Sequence, residues 1–259
     1  QKFFDSPQRH LAPRLIFVET IGNAPSMPVA DMARLNCLAQ EQGALVVVDT
    51  TFTPLWRSPE SGNMVVVGSM TKYHGYGDDL MGGYIAARSK VLKRVTATRF
   101  YQDVVMLPSV AQAFRDQVGG LYDRYRGHSA NAYAAASVMK KHPAVAEVFY
   151  PGLPARRDDS AVMQICWRVG AVGAVFFARM KGGEAAAIKL ADALANRGDW
   201  ELAVSFGSGR WRVFPFVGEL AQHVGAQGIV RISAGYDSLG ELAAPNLAVL
   251  KSALDALLS

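Results

Sequence analysis

The chain has 259 residues, of which 50% are hydrophobic and 19% are charged, and its formal net charge is +5. This composition excludes an intrinsically disordered chain and supports a packed apolar core, in one large domain or two small ones. Two cysteines, Cys37 and Cys166, exclude a disulfide scaffold and a cysteine zinc cage, and no apolar run reaches the roughly 18 residues of a membrane helix.

The first third of the chain predicts alternating strands and helices. Leu15–Glu19 is a short β-rich run with the pattern of an interior strand, and apolar residues then recur at helical spacing over 32–39 until Gly43 ends the helix. Continuous apolar strands are predicted at 44–48, 64–67 and 83–87. Such strands are typical of a parallel sheet covered on both faces, so we expect an α/β layered fold.

The remainder of the chain has a different pattern. Residues 91–142 are predicted to be mostly helical with an interruption at Pro108, and the Ala-rich stretch 130–141 forms one helix. Strands are then predicted at 145–150, 174–180 and 230–233, and helices at 158–168, 184–196 and 239–258. We therefore predict a large domain over residues 1–130 and a smaller α+β domain over residues 131–259.

The positive charge is scattered, and its densest spots are Lys140-Lys141, Arg156-Arg157 and Arg210–Arg212. None extends into the basic stripe that nucleic-acid binding uses, so a solvated surface with a few anion contacts is predicted. Residues 1–13 have no apolar signal-peptide core. Together with the low cysteine count, this predicts a cytoplasmic protein that binds neither nucleic acid nor membrane.

Polar side chains follow the apolar strands of the first third. Glu19 and then Asn23 follow the first strand, Asp49 ends the second, and Lys72 comes just after the third. Because ligands of parallel α/β sheets bind beyond the carboxyl ends of the strands, we expect these side chains to share one edge. An aspartate at the end of a Val-rich buried strand also needs a partner to offset its burial.

This group suits pyridoxal phosphate, which needs a lysine for its carbonyl, an acid for its ring nitrogen and donors for its phosphate. Lys72 supplies the amine, Asp49 the acid, and Ser69 and Thr71 the hydroxyl donors. The Asp49 charge keeps the pyridine nitrogen protonated, which makes the ring a better electron sink. Taken singly, each residue also suits an ordinary structural role, such as a helix cap or a loop hydrogen bond.

Three segments together resemble the Cys/Met-metabolism family of pyridoxal-phosphate (PLP) enzymes, which includes cystathionine γ-synthase, cystathionine γ- and β-lyases, methionine γ-lyase and O-acetylhomoserine sulfhydrylase. They are Phe17–Pro25, Gly43–Phe52 and Val67–Tyr73. Later segments agree, so that the resemblance spans almost the whole chain: Arg126–Ala132, His142–Val145, Val148–Pro154, Leu202–Gly207 and Val230–Asp237. The resemblance implies the aspartate aminotransferase-like fold type I, with a mostly parallel sheet in the large domain.

The resemblance also implies a role for each site residue. Lys72 would be the catalytic residue and would bind the cofactor covalently. Asp49 would pair with the pyridinium nitrogen, and Ser69 and Thr71 would bind the phosphate. The remaining roles are the following: Asn23 on the phenolic oxygen with Glu19 in support, Thr51 near the ring, Arg231 on the substrate α-carboxylate, and Ser205 beside that carboxylate.

The implied activity is that of a lyase or transferase of the trans-sulfuration type. Lys72, once displaced by the substrate amine, would move the Cα proton, and elimination or replacement at Cβ or Cγ would follow. The expected substrate is a small amino acid resembling cystathionine, methionine or an O-acylhomoserine, in cysteine or methionine metabolism. The family is usually a homotetramer with sites shared between paired subunits, so a dimer or tetramer is expected.

Two features depart from the family. The chain starts at Gln1, whereas the family has a long segment before the strand at Leu15, with a phosphate-binding turn and a ring-stacking aromatic residue. We therefore expect a truncated large domain, and a partner chain could supply the missing region. Residues Ser208–Glu219 also differ from the family segment that shapes substrate choice, so the substrate does not carry over.

Other classes of protein have less support in the sequence. A catalytically inactive homologue that serves as the partner subunit of a split enzyme is the alternative, although intact Lys72, Asp49 and Arg231 argue against it. A nucleotide-binding protein lacks support because no Gly-x-Gly-x-x-Gly or Gly-x4-Gly-Lys-Ser/Thr string occurs. A metal hydrolase lacks support because the five histidines form no His-x3-His pair, so no metal site is predicted.

Overall fold

The structure is a computed structural model, and it describes residues 13–58, 63–75, 80–102, 104–156, 159–166, 169–195, 197–236 and 243–258. The first part of the chain forms a four-stranded sheet in the order β1-β2-β3-β4. Its strands are β1 (Leu15–Glu19), β2 (Leu45–Asp49), β3 (Met64–Ser69) and β4 (Gly83–Ala86). The first three are parallel, as predicted, and Glu19, Asp49 and Val67 lie side by side at their carboxyl ends.

The sheet is mostly parallel, as expected, but β4 runs antiparallel to β3, where Ser69 pairs with Gly83. The expected cover on both faces is not seen among the described residues, because the β1 residues Leu15 and Phe17 are 57% and 60% exposed. Within the described residues β1 is therefore an outer strand, whereas its sequence resembles that of an interior strand.

Helix α1 (Met32–Gln42) connects β1 to β2 and follows from local sequence signals. The Asp31 side chain accepts a hydrogen bond from the Arg34 amide, which caps the first turn. Gly43 ends the helix in the left-handed conformation, with a φ of 64°. Met32 and Ala39 point inward, against the apolar residues of β2.

Three helices follow the first sheet: α2 (Ser89–Tyr101), α3 (Pro108–Val118) and α4 (Leu121–Lys141). The mostly helical prediction for 91–142 is confirmed, and Pro108 is the first residue of α3, where proline needs no amide donor. Helix α4 begins earlier than the Ala-rich stretch that predicted it. It runs unbroken through residues 130 and 131, and the domain boundary placed there stays a prediction.

The rest of the chain builds a five-stranded sheet in the order β5-β6-β9-β8-β7. Its strands are β5 (Val145–Phe149), β6 (Val175–Met180), β7 (Trp200–Leu202), β8 (Trp211–Pro215) and β9 (Ile229–Ser233). Its helices are α5 (Ser160–Cys166), α6 (Gly183–Ala195), α7 (Gly218–His223) and α8 (Ala243–Asp255). The predictions for 157–158, 167–168, 196 and 239–242 lie outside the described residues, and β7, β8 and α7 were not predicted.

The two sheets are joined through buried residues beside Lys72. Tyr73 is fully buried, and its hydroxyl accepts a hydrogen bond from the Ala174 amide at 2.7 Å. Arg124 of α4 donates to the Tyr73 carbonyl oxygen at 3.2 Å. Burial raises the pKa of Tyr73, so its hydroxyl stays protonated. These two hydrogen bonds therefore connect the segment that carries Lys72 to α4 and to the residue just before β6.

Candidate active site

The turn after β2 organises the candidate site at the sheet edge. One oxygen of the half-buried Asp49 carboxylate accepts a hydrogen bond from the Thr51 amide at 2.7 Å, the local turn that aspartate favours. The Thr51 hydroxyl in turn accepts a hydrogen bond from the Ser69 amide at 2.9 Å. These two bonds connect the ends of β2 and β3, so the sequence-predicted residues Asp49, Thr51 and Ser69 lie together.

A cavity of about 1220 Å³ opens beside this turn. Asp49, Thr51 and Ser69 line it, and Met81–Ile85 and residues of α2 and of 104–110 complete its wall. The cavity thus presents the Asp49 carboxylate and the Thr51 and Ser69 hydroxyls, together with Arg94 and Arg99 of α2, on a wall with more apolar than polar surface. Small-molecule and cofactor sites commonly combine a few polar groups with such a wall.

Lys72 is half-buried in the segment after β3. Its Nζ donates a hydrogen bond to the Ser205 hydroxyl at 3.0 Å and lies 5.5 Å from the centre of the Phe206 ring. Residues 72 and 205 are far apart in the sequence, so tertiary packing brings them together. The loop 203–210 between β7 and β8 therefore reaches across to the first sheet.

Arg231 of β9 lies beside the same ring. Its Cζ is 5.5 Å from the centre of Phe206, its Nη1 donates to the Val204 carbonyl oxygen, and the residue is only 6% exposed. Nε and Nη2 are buried and have no hydrogen-bond partner among the described residues. Burial lowers the pKa of Arg231 to about 10, so the guanidinium remains charged near neutral pH.

A buried cation with unused donors is costly to a protein. Native structures rarely leave such donors unsatisfied, and those that remain need an explanation. A planar anion such as a carboxylate would accept one hydrogen bond from Nε and one from Nη2 of Arg231 together, since the guanidinium fork matches its geometry. Arg231 therefore has the properties of a carboxylate-binding residue.

Three other predicted residues are arranged differently. The Thr71 hydroxyl accepts a hydrogen bond from the Gly82 amide at 3.1 Å and thereby fixes the turn before β4. Asn23 and Glu19 are exposed just after and at the end of β1. The backbone amide of Asn23 donates to the Glu19 carboxylate at 2.9 Å. The predicted cofactor roles of these three residues stay predictions.

Sequence reasoning missed two residues of this region. Phe206 lies beside both Lys72 and Arg231, and only the motif 202–207 pointed to its neighbourhood. Tyr84 lines the cavity with Asp49, although its segment was predicted as a plain apolar strand. A tyrosine in a short strand gives no signal of its function, because tyrosine is also a common strand former.

Comparison with known proteins identifies the family of the chain. A model of the Cys/Met metabolism PLP-dependent enzyme family matches residues 8–245. The chain belongs to this family. Membership confirms the resemblance seen in the sequence motifs.

Two curated relatives illustrate the match. O-succinylhomoserine sulfhydrylase from Pseudomonas aeruginosa is 30% identical over 241 residues, which are 89% of this chain and 58% of that protein. Cystathionine gamma-synthase from Mycobacterium leprae is 31% identical over 253 residues, which are 93% of this chain and 62% of that protein. The chain thus spans about 60% of the length of the curated relatives that it matches.

Solved structures agree on the fold. Cystathionine gamma synthase from Xanthomonas oryzae pv. oryzae, solved in complex with cystathionine, superposes with a TM-score of 0.81 at 26% identity. The match covers 96% of this chain and 65% of that one. The predicted fold class, an α/β fold of the PLP-dependent transferase type, is confirmed. None of the helices in the described part of the chain is both long and apolar enough to cross a membrane.

The residues at the site fit the cofactor for which the family is named. Pyridoxal phosphate requires an amine, an acid for the ring nitrogen and hydrogen-bond donors for the phosphate. Asp49 and Ser69 supply an acid and a hydroxyl at the sheet edge, where they line the cavity, and Lys72 supplies the amine three residues after Ser69. The Arg231 donors that lack a partner among the described residues lie beside the same Phe206 ring as Lys72 and are available to a carboxylate that enters there.

Proposed function

We propose that the protein is a PLP-dependent lyase or transferase of sulfur amino-acid metabolism, which catalyses elimination or replacement at Cβ or Cγ of an amino acid. The observation that carries the proposal is that Lys72 Nζ and Arg231 Cζ each lie 5.5 Å from the centre of the same Phe206 ring. An α-amino acid has its amine and its carboxylate on the same carbon. An amine-reactive lysine and a buried carboxylate receptor beside one ring match that geometry.

In this proposal the chain would hold the cofactor through the residues at the sheet edge. Lys72 would bind it covalently, Asp49 would pair with the ring nitrogen, and Ser69 and Thr71 would donate to the phosphate. Thr51 would lie beside the ring, and Asn23 would reach the phenolic oxygen with Glu19 in support. When bound, pyridoxal phosphate supplies an electron sink for negative charge that develops at the substrate Cα.

The chain's own groups would orient the substrate and move its proton. Arg231 Nε and Nη2 would bind the α-carboxylate, and the Ser205 hydroxyl would lie beside it. Lys72 Nζ would take the Cα proton and return a proton during the reaction. The hydrogen bond from Nζ to Ser205 supports this role, because it holds the amine on the side of Phe206.

The substrate is proposed as a small sulfur-containing or γ-substituted amino acid. Relatives are named for cystathionine, methionine and O-succinylhomoserine, so these three compounds form the first panel to test. Residues 208–219 come just after Phe206 and Gly207 and differ from the family pattern. The test therefore covers two reactions, replacement of the succinyl group and elimination of the methionine side chain. Each is measured with and without cysteine as the second substrate.

Trapping the cofactor tests the proposal directly. The full chain is incubated with pyridoxal phosphate, reduced with borohydride and digested, and the modified peptide is identified by mass spectrometry. We expect a visible absorption band before reduction and a modification on Lys72. Lys72→Ala should lose both, whereas Lys93→Ala, on exposed α2, should keep both. A colourless wild-type protein, or a label on another lysine, would contradict the proposal.

We also propose a cytoplasmic oligomer. Both cysteines are free thiols and Cys37 is exposed, which suits a reducing compartment. Exposed apolar side chains on β1 and at the end of α2, such as Phe17, Phe100 and Tyr101, are typical of surfaces that another polypeptide covers. Light scattering on the purified protein should give the mass of a dimer or tetramer, or that of a complex with a second chain. A monomeric mass over the micromolar range would contradict this.

A further inference from the structure

Tyr84 occupies an unusual position over the end of β3. It pairs with Gly68 across the antiparallel ladder, one position from Ser69. A Cβ atom on residue 68 would lie 2.6 Å from the Tyr84 hydroxyl oxygen and 2.7 Å from Cζ. The ring therefore crosses the strand over the α-carbon of Gly68, and only glycine leaves room for it there. This path carries the Tyr84 hydroxyl from β4 to the turn after β2.

At that turn the Tyr84 hydroxyl bonds to the Thr50 hydroxyl. Thr50 is fully buried, and its hydroxyl donates to the Val67 carbonyl oxygen at 3.0 Å. A hydroxyl has one proton to donate, so Tyr84 is the donor and Thr50 the acceptor in their bond. Thr50 lies between Asp49 and Thr51, the two residues that line the cavity from this turn.

Two further contacts tie Tyr84 to the site. Burial is the main cause that raises the pKa of Tyr84, and the nearby Asp49 charge also raises it. The hydroxyl therefore keeps the proton that it donates. The ring also packs against His74, with 5.5 Å between ring centres. His74 is buried and lies two residues after Lys72. Tyr84 thus touches the segments that carry both the acid and the lysine.

We propose that Tyr84 is a positioning residue that fixes the turn 49–51, so that the Asp49 carboxylate points into the cavity where the ring nitrogen of the cofactor would lie. This inference rests on the proposed function. Tyr84 acts through Thr50 and does not itself bind the cofactor. Losing its hydroxyl should loosen the carboxylate and weaken cofactor binding, while the fold remains intact.

The test is the affinity of cofactor-free protein for pyridoxal phosphate, measured by equilibrium dialysis. Tyr84→Phe should raise the dissociation constant about fivefold, the effect of one neutral hydrogen bond. Thr50→Val removes the other partner and also the bond to the Val67 carbonyl oxygen, so its effect should be at least as large. Adding Tyr84→Phe to Thr50→Val should change little, because the bond between the two hydroxyls is already lost. Tyr122→Phe, at a half-exposed tyrosine of α4, is the matched control and should bind as the wild type does.

Asp49→Ala separates this inference from the proposed function. If Asp49→Ala weakens binding and Tyr84→Phe stays within twofold of the wild type, the role of Tyr84 is overturned and that of Asp49 stands. If the wild type binds no cofactor, or if Asp49→Ala binds as the wild type does, the proposed site itself is overturned. A Tyr84→Phe protein that melts at lower temperature but binds normally would show a purely structural residue, which also overturns the inference.

Discussion

The backbone of Gly207 packs directly against the backbone of Lys72. A Cβ atom on residue 207 would lie 2.8 Å from the Lys72 carbonyl carbon and 2.8 Å from the Tyr73 nitrogen. Gly207 also has a φ of 92°, which side-chain-bearing residues rarely adopt. Ser205 and Phe206 reach Lys72 because the residue that follows them has no side chain.

Gly207→Ala should therefore both strain the loop and push it away from Lys72. We expect a loss of about 3 kcal/mol in unfolding free energy, since a backbone clash adds to the unfavourable φ, and weaker cofactor binding. Gly43→Ala is the matched control, because Gly43 has a φ of 64° but nothing within 4 Å of the added methyl group. It should lose only about 1 kcal/mol. Urea denaturation measures both, and equal losses would contradict the packing argument.

Arg231→Met should separate substrate binding from stability. The substrate KM should rise about 100-fold, because two hydrogen bonds to a charged carboxylate are lost. The unfolding free energy should not fall, because methionine removes a buried cation whose Nε and Nη2 lack partners within the described chain. Arg179→Met, on neighbouring β6, is the control and should leave KM unchanged. An unchanged KM in Arg231→Met would show that the carboxylate binds elsewhere.

The sequence was sufficient to predict that polar residues at the ends of the first sheet's strands lie close together. Asp49 and Ser69 end neighbouring parallel strands, so the order of the apolar runs alone brings them together. Long-range packing could not be predicted in this way. The contact of Lys72 with Ser205 depends on a loop between two later strands, and only resemblance to a family suggested Ser205.

Strand β8 shows why part of the second sheet was missed. Trp211 and Val213 are buried, but Arg212 lies between them and Pro215 ends the strand, so the run resembles a loop. Arg212 is nevertheless buried, because Glu201 on the neighbouring strand β7 pairs with it. Arginine is a residue type that is expected to be exposed, and cross-strand pairing with Glu201 thus explains the burial of Arg212.

Acid should destabilise the protein in part through His128. Burial lowers its pKa from an ordinary value of 6.5 to about 4, and its Nδ1 donates to the Ala234 carbonyl oxygen at 2.8 Å. Between these pH values the unfolded chain binds a proton that the folded chain excludes. The unfolding free energy contributed by this residue is therefore intact above pH 6.5 and falls as the pH falls toward 4.

His128→Asn keeps an amide donor but removes the titration, so its stability should fall less steeply than that of the wild type between those pH values. His223→Gln, on exposed α7, should keep the wild-type slope. Urea denaturation at a series of pH values gives both slopes. If His128→Asn follows the wild-type curve, other groups account for the acid sensitivity.

Glu201 contacts two arginines that differ in burial, which allows a test within one cluster. Its carboxylate lies 3.1 Å from Arg212 Nε and 3.5 Å from Arg210 Nε, and the two arginine side chains are 6% and 58% exposed. Glu201→Gln leaves the buried Arg212 charge without its carboxylate, and we expect a loss of about 2 kcal/mol in unfolding free energy. Arg210→Gln breaks only an exposed pair and should cost at most about 0.5 kcal/mol. Because salt screens exposed charges most, added salt should leave the loss in the Glu201→Gln variant largely in place. Equal losses of unfolding free energy in the two variants would contradict the role assigned to burial.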